Sequence, residues 1–244
     1  MNKIIHAIFI ALIITPLYAL NATLIPIEVD TSNKEALQRG AQLYMNYCSG
    51  CHSLRYMRYS RMAKDLGLTT FDGQIDNELL HNNLVFTQVK IQDPIEISIP
   101  EVDARQWFGR VPPDLSLTAR ERSPSWIYTY LKSFYADPKR PFHANNLLVP
   151  DVAMPNILAP LGGIVAIQNR QTETPSLVLI ENGEMTAQQF DHAVRDLVTF
   201  LTYVAEPVKS TRISIGLKVL PFLSLLLIVV YLLKRTYWKK VDKR

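Results

Sequence analysis

Cys48-Ser49-Gly50-Cys51-His52 sets two thiols three residues apart, with a histidine directly after the second. This is the attachment sequence for c-type haem. One helical turn brings both sulfurs to the two vinyl groups on one porphyrin edge, and the adjacent imidazole swings under the ring as an axial iron ligand. On this reading Cys48 and Cys51 form thioethers and His52 is the proximal ligand. These are the only two cysteines in 244 residues, so neither a disulfide framework nor a four-thiolate zinc site can be drawn. A thioredoxin-like couple and half of a zinc site share the CxxC spacing and stand as the competing readings.

Covalent haem attachment belongs to an exported domain, and the N-terminus supplies an export signal. Lys3 precedes the apolar run Ile4 to Ile14 and then Pro16-Leu17-Tyr18-Ala19. This reads as a signal peptide over residues 1–19, with cleavage after Ala19 or Ala22. At the other end, Ile213 to Leu233 is apolar apart from Ser214, Lys218 and Ser224, long enough to cross a hydrocarbon core. Lys218 sits near one end, where its amine can snorkel. Residues 234–244 then hold Lys234, Arg235, Lys239, Lys240, Lys243 and Arg244 against Asp242 alone, with Tyr237 and Trp238 at interfacial depth. The positive-inside rule makes this tail cytoplasmic and places residues 20–208 on the periplasmic side of the cell membrane.

The formal charge of +4 belongs to the tail, because residues 20–208 carry 16 lysines and arginines against 21 acids. Nothing in this balance suggests nucleic acid. Residues 72–103 concentrate Asp72, Asp76, Glu78, Asp93, Glu96, Glu101 and Asp103 against Lys90 alone. Such a surface speeds encounter with a basic partner, and it is equally the composition of a solvated loop.

The exported body has the length of a single domain. Its first helix begins at Ser32, with Glu35 completing a capping box, and carries Ala36, Leu37, Gly40, Leu43, Tyr44 and Tyr47 into the haem motif. Its last helix begins at Thr186 with Gln189. It aligns Phe190, Val194, Leu197, Val198, Leu201 and Val204 on one face before Pro207 stops it. Trp126 to Tyr135 has a weaker helical pattern. Residues 136–160, with prolines at 138, 141, 150, 155 and 160, read as loop, and residues 84–102 alternate too loosely to assign a strand.

A second axial ligand must reach the far face of the ring. Met154, in Val152-Ala153-Met154-Pro155, lies 102 residues beyond His52 in the proline-rich stretch, where an extended loop presents one side chain at fixed depth. A thioether favours ferrous iron and raises the potential relative to two imidazoles. Met185, His81, His143 and His192 are the alternatives.

The chain resembles the cytochrome c1 family, the haem subunit of the bacterial cytochrome bc1 complex. The matching elements are Arg39-Gly40 before the haem motif and Pro112-Pro113-Asp114-Leu115-Ser116 with Arg120 and Arg122. Ala153-Met154-Pro155 follows, then Ala205-Glu206-Pro207 with Arg212 before a single anchor. They occur in the family's order across nearly the whole mature chain.

The resemblance implies a mainly α, c-type cytochrome fold with long loops plus one C-terminal transmembrane helix. It implies one covalent haem c with His52 and Met154 on the iron. Pro113 matches a proline packed near the ring, and Tyr128 matches an aromatic residue close to it. Of the motif's arginines, Arg120 and Arg122, the second matches one that pairs with a propionate. Gly40 matches the glycine at which first and last helices cross, against Phe200 or Tyr203. The implied role is electron transfer without catalysis by this chain alone, from a Rieske iron-sulfur protein beside a cytochrome b subunit to a soluble or membrane-tethered cytochrome c, in a dimeric complex. A different membrane-anchored mono-haem cytochrome, such as an oxidase subunit or tethered carrier, is the alternative.

Three departures limit the transfer. Arg105-Gln106-Trp107-Phe108-Gly109-Arg110 stands where the family often has two asparagines before the glycine, so polar contacts made there do not carry over. Asn156 replaces a frequent second proline. The disulfide that steadies the methionine loop in some relatives has no cysteines here, leaving proline and packing to hold it.

Overall fold

The computed structural model describes residues 24–97, 99–168 and 176–241. The expected signal peptide and the last three residues of the tail lie outside them.

Helix α1 (Lys34–Tyr47) and helix α8 (Ala187–Ala205) form the centre of the body that precedes the C-terminal helix. They approach closely because Gly40 has no side chain. A Cβ there would stand 2.7 Å from Phe200 Cβ and run into the Asp196 carbonyl. Phe200 fills the crossing and its ring lies 5.8 Å from that of Tyr44; Tyr203 instead donates its hydroxyl to Asp65, 2.7 Å away. Beside the crossing, Arg39 clasps Asp196 with bonds of 2.6 and 3.2 Å. Each large apolar side chain sealed here, such as Phe200 and Leu197, contributes on the order of 2 kcal/mol.

The cap of α1 differs from the expected one. Asn33, not Ser32, accepts the Ala36 N–H at 3.0 Å, while the Ser32 hydroxyl turns back to Asp30 at 2.6 Å. Asp30 offers Ser32 a two-residue turn, which frees the amide oxygen of Asn33 for the helix end. The α8 capping box is present: Thr186 accepts from Gln189 N, and Gln189 returns the bond to Thr186 N.

Between them, β1 (Leu54–Arg58) pairs with the two-residue β2 (Pro94–Ile95). Helices α2 (Tyr59–Leu66), α3 (Asn77–Asn83) and α4 (Glu101–Phe108) line the connecting chain. Helix α5 (Thr118–Arg122) and helix α6 (Pro124–Lys132) both pack on α8. The helix expected at Trp126 to Tyr135 thus starts two residues earlier, with proline in its first turn, and ends at Lys132. Beyond it the chain extends as β3 (Phe134–Ala136), where the end of that helix was expected, against β4 (Ala144–Asn146), inside the stretch expected to be loop. A short helix α7 (Ala159–Gly162) leads to a hairpin, β5 (Ile164–Gln168) with β6 (Ser176–Glu181).

Helix α9 (Lys209–Val241) runs 33 residues, about 50 Å at 1.5 Å per residue. It contains the expected anchor and extends past both of its ends, since helix continues into the interfacial layers that hydropathy does not count. Its apolar side chains, from Ile213 to Leu233, are exposed in the isolated chain. Pro221 lies within it.

Candidate haem site

The end of α1 builds the proximal half of the site. Cys48 is the helix C-cap, its N–H bonded to Tyr44 O at 2.8 Å, and the chain curls on so that the Cys51 and His52 N–H groups both bond to Cys48 O. Cys48 is buried and Cys51 half-buried. Burial pushes the Cys48 thiol up to about 12 and raises that of Cys51, so both are neutral thiols. The buried Tyr44 hydroxyl donates to His52 O at 2.5 Å and fixes the backbone of the ligand residue.

His52 is aimed from outside α1. Its Nδ1 lies 2.7 Å from Pro113 O, which makes Nδ1 the protonated nitrogen and leaves the Nε2 lone pair free for a metal. Burial lowers the His52 pKa against the opposing effect of this bond, so the ring is held as a neutral ligand. Pro113 is held in turn by its own motif. Asp114 accepts N–H bonds from Arg55 and Ser116, at 2.9 and 2.8 Å. The fully buried Ser116 hydroxyl accepts from Tyr56 N, and Leu115 N bonds to Ser53 O. Pro112 to Ser116 is thus zipped alongside residues 53–56, which delivers the Pro113 carbonyl to the imidazole.

The distal half comes from the loop before α7. Asn145 and Asn146, both buried, cross-brace it. Asn146 Oδ1 accepts the Leu148 and Val149 N–H groups while its amide donates to Tyr130 O at 2.8 Å, and Asn145 Oδ1 accepts the Asp151 N–H. The half-buried Arg140 grips the exposed Asp151 at both its carboxylate and its carbonyl. Proline and packing therefore do not hold this loop alone, as the sequence had suggested; buried amides do what a disulfide would. Met154 follows, its sulfur 3.4 Å from the Tyr130 hydroxyl. Burial pushes that phenol up to about 12, with Arg110 opposing, so it is a proton donor at neutral pH.

Both halves meet in one cleft. Tyr47, Cys51, His52, Phe108, Arg110, Pro112, Pro113, Ala153, Met154, Pro155 and Ile157 line about 520 Å³ of space, counting its open mouth. The wall is almost wholly apolar, and apart from the Arg110 guanidinium its exceptions are the donors a c-type haem needs: a thiol with a second thiol buried nearby, an imidazole with one nitrogen already occupied, and a thioether. These residues fit the group.

The other candidates sit elsewhere. Met185 packs against the core, and neither it nor His81, His143 or His192 lines the cleft. Arg120 and Arg122 do not line it either, because α5 packs against α8. Arg120 pairs with Glu206 at 3.6 Å, and Glu206 also holds Arg212 at 3.0 Å, which ties the end of α8 to the start of α9. Arg122 lies over the Trp126 ring at 5.4 Å and beside Glu121. Tyr128 is buried on α6 with its hydroxyl on Asp191, away from the cleft. Lys132 and Arg195 hold the same carboxylate, at 2.6 and 2.7 Å. Burial works against ionisation of Asp191, but the bonds from Arg195, Lys132 and Tyr128 outweigh it and depress the pKa far below the carboxylate range.

Sequence reasoning missed Tyr130 and Arg110. Tyr130 is one aromatic among several on α6, and only the fold brings it to Met154. Arg110 stood out solely as a departure from a family pattern, yet it is the cation in the wall. The acids of 72–103 are partly spent on local structure: Asp76 caps α3, Asp72 accepts from Thr70 and Gln74, Asp93 accepts from Lys90 N, and Glu101 lies 3.8 Å from Arg105.

A haem-attachment turn facing a thioether across an apolar cleft, on a domain carried by one long apolar helix, defines a membrane-anchored c-type cytochrome. The chain belongs to the cytochrome C1 family, whose pattern matches residues 27–241. It is 45% identical to the cytochrome c1 of Allochromatium vinosum, over 99% of this chain and 100% of that one. It is 38% identical to a Nitrosomonas europaea protein named ammonia monooxygenase gamma subunit, over 87% of this chain and 86% of that one. The mitochondrial cytochrome c1 heme protein of Kluyveromyces lactis is 25% identical, over 88% and 74% of the two chains. Family members are respiratory-chain electron-transfer subunits, and membership brings a c-type haem as cofactor.

Proposed function

We infer that this chain is the electron-transfer haem subunit of a cytochrome bc1 complex. It accepts single electrons from a Rieske iron-sulfur protein next to cytochrome b and passes them to a soluble or membrane-tethered cytochrome c. The observation that carries the reading is the convergence of Cys51, His52 and Met154 on one apolar cleft from segments 102 residues apart. The haem, held covalently through Cys48 and Cys51, supplies a one-electron Fe(III)/Fe(II) couple. The chain's residues do the rest. His52, oriented by Pro113, and Met154 would hold the iron between them and so would keep small ligands off it. Tyr47, Phe108, Pro112 and Ile157 exclude water, which lowers the reorganisation each electron transfer requires.

The haem domain lies on the periplasmic side of the membrane, α9 crosses once, and the basic tail is cytoplasmic, by the charge asymmetry of its flanks. The complex is dimeric. Acceptor docking uses the acidic face of 72–103, where Glu96 and Glu101 are exposed. Neutralising Asp93, Glu96, Glu101 and Asp103 together should weaken the salt dependence of electron transfer to the acceptor; unchanged rates at low ionic strength would remove docking from that face.

The test of the function is reduction of the c-type alpha band in membranes by a ubiquinol analogue, with and without an inhibitor of quinol oxidation at cytochrome b. Fast reduction that the inhibitor abolishes is expected. A second reading has one observation in its favour, the relative named for an ammonia monooxygenase. A haem indifferent to quinol and inhibitor would make the chain a tethered carrier or a subunit of another enzyme.

A further inference from the structure

We propose that Tyr130 is a positioning residue for Met154 that raises the haem potential, by donating its hydroxyl hydrogen to the sulfur lone pair not used by the metal. The inference rests on Met154 being the distal ligand. The bond itself is direct, Tyr130 Oη to Met154 Sδ at 3.4 Å.

The phenol is aimed by everything around it. Its ring stacks on Trp126 at 5.2 Å and 7°, and meets Phe134 edge-on at 5.2 Å. Arg122 also lies over the Trp126 ring, 5.4 Å from its centroid, so Trp126 is held by both Arg122 and Tyr130. The Tyr130 carbonyl accepts the Asn146 amide, and the same Asn146 holds Leu148 and Val149 of the methionine loop. One buried asparagine thus fixes donor and acceptor relative to each other. A phenylalanine would fill the same space equally well; the hydroxyl is needed only if its partner matters, since a half-buried tyrosine oxygen otherwise wants water. In this structure the thioether is that partner, a weak acceptor with two lone pairs.

The chemistry gives the effect a sign. A hydrogen bond to one lone pair withdraws density from sulfur and weakens its donation through the other. Ferric iron depends on that donation more than ferrous iron does, so the bond favours Fe(II). Removing it should lower the midpoint potential.

The experiment is a redox titration of the membrane-bound holoprotein with Tyr130→Phe, read together with the far-red sulfur-to-iron charge-transfer band of the oxidised form. The Fe(III)/Fe(II) equilibrium should move about threefold toward ferric, the size of one weak hydrogen bond, or about 28 mV at 59 mV per tenfold. The band should persist at a displaced position. In a Met154→His background, where the coordinated nitrogen has no second lone pair, Tyr130→Phe should shift nothing. An unchanged midpoint and band in Tyr130→Phe would overturn the proposal, and so would an equal shift in the histidine background, which would mark a packing effect. A wild-type protein without the band would instead refute Met154 as the ligand, a failure separable from that of the Tyr130 bond.

Discussion

The two proposed iron ligands are held in different ways. His52 directly follows Cys51, a proposed attachment point, in the turn after α1, with its backbone pinned by Tyr44 and its ring by Pro113. Met154 has no covalent tether and no secondary structure of its own. It depends on two buried asparagines, a tyrosine one helix away and a half-buried arginine. The difference teaches where this site is robust. The proximal side should survive loss of any one hydrogen bond, because its chain path is fixed by α1 and would be fixed further by the proposed thioethers at Cys48 and Cys51. On the distal side, geometry rests on polar groups, the central two of which, Asn145 and Asn146, are buried from water.

The sharpest way to break the contrast is Asn146→Leu. It removes an amide that makes three hydrogen bonds and leaves the Leu148 and Val149 N–H groups and the Tyr130 carbonyl without that partner, a loss of about 3 kcal/mol. The far-red band should disappear while the haem stays attached and His52 stays bound. Retention of the band at wild-type stability would show that the distal loop is held elsewhere. Next in size is Gly40→Ala, which drives a methyl into Phe200 and the Asp196 carbonyl and should cost about 2 kcal/mol in denaturant unfolding of the holoprotein. Because the α1 and α8 crossing stands behind the proximal half, the band should survive this variant. The two substitutions together separate stability from ligation.

Much of this asymmetry explains what could be read from the sequence. Most of the proximal half shows in spacing and periodicity, as a pentapeptide, the helix before it and a capped partner helix; the Pro113 contact that aims His52 comes from 61 residues away and does not. The α8 capping box was legible because Thr186 and Gln189 act within one turn. The α1 cap was misplaced by one residue because Ser32 and Asn33 are both good caps, and only Asp30 decides between them. The short strands of β3 and β4 have too few residues for a period to register, and β5 with β6 lacks an alternation strong enough to announce a hairpin. Met154 was visible as a candidate but not its bracing, since Asn145 and Asn146 read as ordinary loop residues until their burial is known. Arg120 and Tyr128 carry motif positions whose partners, Glu206 and Asp191, lie 86 and 63 residues away.

Smaller effects sharpen the comparison. Asp114→Asn keeps the shape of the Pro112 to Ser116 segment but weakens two charge-assisted bonds to backbone N–H groups, for about 1 kcal/mol. The His52–iron bond should persist, as read by the Soret and alpha bands; its loss would mean the proximal side is as dependent on polar bracing as the distal one. The Asp191 contact between α6 and α8 predicts a pH dependence. Its pKa is depressed from an ordinary 3.8, so its contribution is complete above about pH 4 and is lost as pH falls toward the folded-state value. Asp191→Asn should be less stable than wild type at pH 7, with the difference shrinking on acidification.

Arg110 gives the smallest effect and tests the sides of the cleft against each other. It lines the wall, while Arg122 lies over the Trp126 ring. A positive charge near the haem stabilises Fe(II), because reduction adds a negative charge. Two unit charges roughly 10 Å apart in water interact by about 0.4 kcal/mol, and an exposed cation is screened further by salt. Arg110→Gln should therefore lower the midpoint by about a factor of two in the Fe(III)/Fe(II) equilibrium, with the shift fading as ionic strength rises. Arg122→Gln should shift it less. A larger effect at Arg122 would place the carboxylate edge of the haem on the α5 side, as the family resemblance implies, and would reverse the assignment of the cleft's cation.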